Sequence, residues 1–211
     1  AEPLSCAVVS GATDAAALSA AAETLRAEAS SLENSLLRVR FDRDGSILSV
    51  WDKEHEREVL APGSRANRLA VYVDDGDAWD FPMDYKSQTP RHMQLSSSEA
   101  ALDGPTAVMR QHYTLGKHTT LSQTVVLTAG SRRLDFRTTA HWREAKAMLR
   151  TSFPTAIQAE KATYEIQFGS IERPTHTNTT WDLAKDECPA QKWADLSQRD
   201  YGVALLNDSK Y

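Results

Sequence analysis

From residue 32 onward, apolar and polar residues alternate with a period of two, which is typical of β-strands with one buried face. Leu37, Val39 and Phe41 alternate with two arginines, and the later segment 133–142 repeats the pattern. Turn-forming residues separate the alternating segments at short intervals, and almost no helical period follows residue 30. The pattern therefore predicts an all-β fold of the sandwich type.

Individual strands can be assigned from the same alternation. The turn at 42–45 separates 37–41 from 47–51 and predicts a β-hairpin. Further strands are predicted for the alternating segments 69–73, 107–115, 119–128, 133–142 and 164–168. The nearly continuous apolar run at 202–206 predicts a strand buried on both faces. The polar segment 171–178 predicts either a long ordered loop or a contact with another domain.

Residues 1–31 differ from the remainder because 11 of the first 30 are alanine and none is aromatic. Thr13 or Asp14 can cap a helix over 15–28. We expect a leader or linker at 1–31, helical in this part, followed by a β-sandwich domain at 32–211. Since the sequence begins with Ala1 and closes on an apolar run, we also expect it to be a fragment of a longer protein.

Composition narrows the classes of function. The 211 residues carry 24 Lys and Arg against 29 Asp and Glu, so a dedicated nucleic-acid binder is not expected. No apolar stretch approaches the roughly 20 residues of a membrane span, so no membrane partner is expected either. The two cysteines, Cys6 and Cys188, cannot form a disulfide framework, which favours a reducing, cytoplasmic location.

The acidic segment 74–80 is the strongest candidate for a binding site. Its four carboxylates within seven residues repel one another unless they are solvated, paired or close to a cation. A tryptophan among them offers a flat apolar face for sugar C–H groups, while carboxylates suit sugar hydroxyls. Asp77, Trp79 and Asp80 are therefore the candidate substrate-binding residues. The alternative is a solvated acidic loop with Trp79 tucked under it as an anchor.

Metal sites and catalytic residues are not indicated by the remaining motifs. His112 and His118 flank a turn, but the six histidines match none of the usual zinc-binding spacings. Asp42 and Asp44 resemble the start of a calcium loop, yet the twelfth position holds Lys53 where a glutamate is required. We therefore predict no metal, no cofactor and no catalytic residue within this sequence.

Seven motifs occur in an order that resembles the C-terminal β-sandwich region of glycoside hydrolase family 38 α-mannosidases, of the bacterial and cytosolic type. They are LEN at 32–34, FDRDG at 41–45, DAWD at 77–80, YEIQFG at 164–169, ERPTH at 172–176, KWADLS at 192–197 and YGVALLND at 201–208. The resemblance covers residues 32–211 and leaves out the Ala-rich segment.

This resemblance implies a galactose-mutarotase-like β-supersandwich and a full-length retaining exo-α-mannosidase that hydrolyses terminal α-mannosides. It places the zinc ion, the nucleophile and the acid in preceding N-terminal catalytic domains of the same chain, which would be the partners of this region. The region itself would be non-catalytic, would buttress those domains and would contribute a substrate-facing loop. Two alternatives are a stand-alone carbohydrate-binding sandwich and a mutarotase-like sugar epimerase, in which His176 would pair with Glu172 or Glu165.

Overall fold

The computed structural model describes residues 24–76, 79, 81, 82, 84–185 and 187–208. The chain divides into two compact units between Phe153 and Pro154. The described residues form sixteen β-strands, a single-turn 3-10 helix and one short α-helix, and every strand pairing is antiparallel. The predicted all-β fold is confirmed.

The first sheet of the first unit has five strands in sequential order. They are β1 (Arg26–Glu28), β2 (Ser31–Glu33), β3 (Leu37–Phe41), β4 (Ile47–Asp52) and β5 (Arg57–Glu58). In β3 the apolar residues are buried and the two arginines are exposed, as the alternation predicts. The predicted hairpin is confirmed by the pairing of β3 with β4 around a turn in which Gly45 has a positive φ.

The helix predicted for 15–28 does not extend to its expected end. Arg26–Glu28 is strand β1, which pairs with β2, and Leu25 just before it is buried. Pairing and burial outweigh the local helix preference of an Ala-rich segment here. Residues 15–23 of that prediction lie outside the described residues.

Two more sheets complete the first unit. A four-stranded sheet in the order β11-β10-β9-β8 contains β8 (Gln94–Asp103), β9 (Thr106–Leu115), β10 (Thr119–Thr128) and β11 (Leu134–His141). A three-stranded sheet in the order β12-β6-β7 contains β6 (Ala70–Val73), β7 (Arg91–His92) and β12 (Ala147–Arg150). Of these strands, β7, β8 and β12 were not predicted from the sequence: β7 and β12 are short, and the residues of β8 are mostly polar.

The core of this unit lies against the inner face of β9 and β10, where alternate residues are buried. Tyr113, Leu115 and Leu121 from this face form one cluster with Leu69 and Val71. The five-stranded sheet is joined to the same face by a hydrogen bond from the Gln111 Nε2 to the Gly45 carbonyl, at 2.9 Å. Sheets packed through apolar inner faces are the sandwich arrangement that the alternation predicts.

The second unit is a four-stranded antiparallel sheet with one helical turn. Its order is β14-β13-β15-β16, formed by β13 (Lys161–Ile166), β14 (Gly169–Pro174), β15 (Trp193–Gln198) and β16 (Tyr201–Leu206). The helix α1 (Thr180–Leu183) begins at the cap residue Thr179. Among the helices of the described chain, none has the length and apolar character needed to cross a bilayer.

Three predictions for the second unit are wrong in part. Phe168 is not part of a strand: it occupies the turn between β13 and β14 with a positive φ and is fully exposed. Residues 171–174 are not a loop but belong to β14, because they pair with residues of β13 in an antiparallel ladder. The segment 202–206 is a strand, yet it is not buried on both faces, since Leu205 and Leu206 are 59% and 60% exposed.

Candidate functional site

The acidic segment lies in the connection between β6 and β7, which also contains the 3-10 helix Tyr85–Ser87. We call this connection, residues 74–90, the acidic loop. Two of its three candidate binding residues, Asp77 and Asp80, lie outside the described residues. Trp79, the third, is described and can be placed.

The start of the acidic loop is tied to its end by one side chain. The Val73 N–H donates to Gln88 Oε1 at 2.9 Å, and Gln88 Nε2 donates back to the Val73 carbonyl at 3.2 Å. The next residue, Asp74, donates its N–H to the Lys146 carbonyl at 3.0 Å. The backbone at the base of the loop is therefore fixed by hydrogen bonds on both sides.

Tyr85 is a second anchor at the base of this loop. It is buried, and its ring meets the Tyr72 ring edge to face with centroids 5.3 Å apart. The Arg150 guanidinium lies 4.5 Å from the centroid of the same ring, within the range of a cation–π contact. Since β6 and β12 carry these two partners, the loop is held against a sheet rather than by its own residues alone.

Trp79 lies at the surface, with 89% of the residue exposed. The interpretation in which Trp79 is tucked under the loop as an anchor is therefore wrong, because Tyr85 has that role. Phe81 is also exposed. Large apolar side chains held at the surface of an anchored loop suit a contact with a ligand or another protein surface.

Asp74 differs from the other acidic residues of the loop that the structure describes. Its Oδ1 is buried without a hydrogen-bond partner among the described residues, whereas Asp75 is exposed. Because this oxygen is buried, it belongs to the base of the loop and is not presented at the surface. What the loop presents at the surface is the pair of exposed aromatic side chains Trp79 and Phe81, and an aromatic face can contact the C–H groups of a sugar.

The histidines do not come together. His112 Nδ1 lies 2.9 Å from Ser122 Oγ on the neighbouring strand, and His118 lies in the turn that follows β9. In the described ranges no group of three His, Cys, Asp or Glu side chains could hold a metal ion.

The residues considered for an epimerase have separate partners. His176 Nδ1 faces Asp182 Oδ2 at 3.5 Å, Glu172 pairs with Lys161 at 2.9 Å, and Glu165 accepts the Lys192 N–H at 2.6 Å. Asp182 belongs to the cap of α1, where hydrogen bonding to the Thr179 side chain holds the pKa of its carboxyl below the ordinary value. His176 therefore contributes to a local cap, and these contacts give no support to an acid–base pair.

A shallow depression of about 240 Å³ lies on the four-stranded sheet of the first unit, formed by β8 to β11, on the face opposite to Tyr113 and Leu121. Arg110, Thr124 and Arg137 stand side by side across three neighbouring strands there, and Asp103 Oδ2 lies 3.6 Å from the Arg110 guanidinium. Guanidinium donors beside hydroxyl and carboxylate acceptors can bind neutral hydroxylated ligands. Sequence reasoning missed this surface because its residues lie on three separate strands and share no local motif.

Sequence reasoning also missed the residues that hold the acidic loop. The partners of Gln88 are main-chain groups, which leave no pattern in the sequence. Tyr85 carries no distinguishing signal either, since it is buried whereas the aromatic residues Trp79 and Phe81 of the same loop are exposed.

Comparison with known proteins gives one family and a consistent set of relatives. Residues 32–211 match the family described as "Glycosyl hydrolases family 38 C-terminal domain". The chain is 39% identical over 189 residues to alpha-mannosidase 2C1 of Mus musculus and over 189 residues to alpha-mannosidase G of Dictyostelium discoideum. In both cases the alignment covers 85% of this chain.

The fold is also similar to that of a solved protein, described as an alpha-mannosidase from Enterococcus faecalis V583. The two structures superpose with a TM-score of 0.73 at 15% identity, over 87% of this chain and 24% of the other. The chain spans 18% and 17% of the length of the mouse and Dictyostelium relatives. It thus corresponds to less than a quarter of each of these three proteins.

Proposed function

Because this chain belongs to the glycosyl hydrolases family 38 C-terminal domain, we propose that it is the non-catalytic β-sandwich part of a retaining, zinc-dependent exo-α-mannosidase acting on terminal α-mannosides. One observation carries the proposal: 85% of the chain aligns with proteins named alpha-mannosidases, yet it spans only 17–18% of their length. Most of such a protein lies outside these residues.

We assign the chemistry to N-terminal catalytic domains of the same polypeptide. A retaining glycosidase uses one carboxylate as nucleophile and a second as acid and base, so that a glycosyl-enzyme intermediate forms and is hydrolysed. Zinc in those domains would hold sugar hydroxyls. The sheets described above would buttress them, and we place the protein in the cytoplasm, where its two cysteines stay reduced.

Within this assignment the acidic loop faces the substrate. Its base is fixed by Gln88 and Tyr85, so presenting Trp79 costs little additional conformational entropy when a ligand binds. The Trp79 ring would contact the C–H face of a sugar, and Asp77 and Asp80 would accept hydrogen bonds from its hydroxyls.

A fluorogenic α-mannoside tests the overall assignment. The intact polypeptide should release the fluorophore and lose this activity when a chelator removes zinc, and added zinc should restore it. The 211-residue chain supplied with zinc should release none. An intact polypeptide inactive towards α-mannosides would contradict the proposed activity, and chelator-sensitive turnover by the short chain would contradict its non-catalytic role.

The role of Trp79 requires a matched pair of variants in the intact polypeptide. Trp79→Ala should lower kcat/KM by about five- to tenfold, the effect of losing an aromatic contact of ~1–1.5 kcal/mol. Trp181→Ala removes a tryptophan that is 79% exposed on α1 and should leave kcat/KM unchanged. Equal kinetics for the two variants, at unchanged thermal stability, would remove the acidic loop from the substrate site.

A second candidate function is carbohydrate binding by the chain alone. The depression with Arg110, Thr124 and Arg137 favours it, because its donors and acceptors suit sugar hydroxyls. Titration calorimetry of the 211-residue chain with mannose would then give measurable heat, and Arg137→Ala would abolish it. Absence of heat at millimolar mannose would leave only the first function.

A further inference from the structure

Strand β16 has an edge that a soluble protein normally protects. In the described sheet it lies at one end of the order β14-β13-β15-β16. Its sequence, Tyr-Gly-Val-Ala-Leu-Leu, contains no charge and no proline, and its register with β15 is uninterrupted. Unprotected apolar edge strands pair with other strands, so native proteins cover them or interrupt them with charges, proline or bulges.

The opposite edge of the same sheet has this protection. Strand β14 carries Glu172, Arg173 and Pro174, and the Glu172 carboxylate is paired with Lys161 at 2.9 Å. Proline removes an N–H from the edge, and charged side chains resist burial against a new strand. The contrast indicates that β14 is a true edge of this sheet and that β16 is not.

The backbone groups on the free edge of β16 can be identified. The Asn207 N–H donates to the Lys192 carbonyl at 2.8 Å, so residues 192 and 207 stand opposite each other as a pair at a bonding position of the ladder. In an antiparallel ladder such pairs alternate, so residues 201, 203 and 205 bond to β15. The N–H and carbonyl groups of Gly202, Ala204 and Leu206 therefore point to the unpaired side.

Side chains on both faces of β16 are apolar as well. Leu205 stands in line with Ala194, Tyr164 and Ile171, which makes an apolar row across all four strands. Leu206, on the other face, stands opposite Trp193. Both leucines are exposed, at 59% and 60%. A strand apolar on both faces is typical of the interior of a sheet covered on both sides.

We infer that a further β-strand of the same polypeptide, outside these 211 residues, pairs with the free edge of β16 and buries Leu205 and Leu206. This rests on the proposed function, in which the chain is part of a larger protein. The relatives, of which this chain spans 17–18%, have ample length to supply such a strand. An added strand would pair with the unpaired N–H and carbonyl groups of β16 and so continue the sheet.

Hydrogen exchange of the intact polypeptide tests the inference directly. The amides of Gly202, Ala204 and Leu206 should exchange at least about tenfold more slowly in the intact polypeptide than in the 211-residue chain. Equal rates in the two proteins would overturn the inference. Protection in the short chain that grows with its concentration would also overturn it, since a second copy would then be the partner.

A matched pair of leucine variants gives an independent test. Leu205→Lys should leave the unfolding midpoint of the 211-residue chain unchanged but lower that of the intact polypeptide, where lysine would become buried. Leu102→Lys, at a leucine that is 58% exposed in β8, should alter neither protein. The same small effect for both variants in the intact polypeptide would contradict burial of β16.

These outcomes separate the inference from the proposed function. An intact polypeptide that hydrolyses α-mannosides while its β16 amides exchange freely would overturn the additional strand and retain the α-mannosidase assignment. An intact polypeptide that protects these amides but has no α-mannosidase activity would overturn the α-mannosidase assignment and retain the additional strand.

Discussion

Replacing Gly45 with alanine tests the joint between the hairpin of β3 and β4 and the inner face of β9. Gly45 has a φ of +83°, a left-handed conformation that is unfavourable for residues with a Cβ. An added Cβ would lie 2.1 Å from the Tyr113 hydroxyl oxygen and 3.0 Å from Gln111 Nε2. Tyr113 is itself buried and donates to Gln111 Oε1 at 3.0 Å, so it has little freedom to withdraw.

The expected loss of unfolding free energy has two parts. A left-handed alanine costs about 1 kcal/mol in backbone conformation. Displacing the Tyr113 ring breaks its hydrogen bond and that between Gln111 and the Gly45 carbonyl, each worth about 1 kcal/mol, and overpacking adds about 1 kcal/mol more. Gly45→Ala should therefore lower the free energy of unfolding by about 4 kcal/mol.

Gly63→Ala is the matched control. Gly63 also has a positive φ, of +72°, but nothing lies within 4 Å of an added Cβ. It should cost only the backbone part, about 1 kcal/mol. Urea unfolding of the 211-residue chain, followed by tryptophan fluorescence, measures both variants against the parent sequence.

The double variant Gly45→Ala with Tyr113→Phe identifies the source of the loss. Removing the hydroxyl oxygen relieves the shortest contact, so the double variant should be more stable than the sum of the single effects by about 1 kcal/mol or more. Equal losses for Gly45→Ala and Gly63→Ala, or strict additivity in the double variant, would refute this packing of the hairpin on β9.

Three further changes give simple expectations. Asn34→Ala should lower the free energy of unfolding by about 3 kcal/mol in urea titrations, because the buried Asn34 amide forms hydrogen bonds with four main-chain groups. An effect below about 1 kcal/mol would contradict those hydrogen bonds. The hydrogen bond from Arg38 lowers the pKa of Glu33 from 4.5 to about 2. The ionised Glu33 carboxylate therefore stabilises the fold above about pH 5, and this stabilisation is lost as the pH falls through 2. Glu33→Gln should thus cost about 1 kcal/mol at pH 7 and nothing below about pH 2, whereas a pH-independent difference between the two unfolding curves would exclude this charge effect. Gln88→Ala should speed limited proteolysis within the acidic loop, and an unchanged cleavage rate would show that Gln88 does not fix its base.

The alternation of residues predicted the strands that have one buried face. In β3 the buried and exposed residues follow the apolar and polar residues, because this strand lies between a core and solvent. In β9 and β10 the agreement is partial, since Gln111 and Gln123 are buried and Val108 and Val126 are buried on the opposite face. The same reasoning missed β8, whose polar residues pair with β9 through their backbone. Backbone pairing of this kind depends on a neighbouring strand and not on the side chains of the strand itself.

The sequence predicted the candidate loop but not its support. Trp79 stood out through its acidic neighbours, whereas Gln88 and Arg150 act through distant partners that only the folded chain brings close. The prediction for 202–206 was wrong for the described structure. Its apolar character nevertheless agrees with the inferred additional strand, since a sequence records burial in the whole protein.

Covalent labelling of the intact polypeptide tests most directly whether the chemistry lies outside this region. A fluorinated α-mannosyl fluoride traps the glycosyl-enzyme intermediate of a retaining enzyme, and peptide mass mapping then locates the labelled carboxylate. One labelled aspartate outside these 211 residues is expected, with stoichiometric loss of activity. A label on any carboxylate between residues 1 and 211 would contradict it.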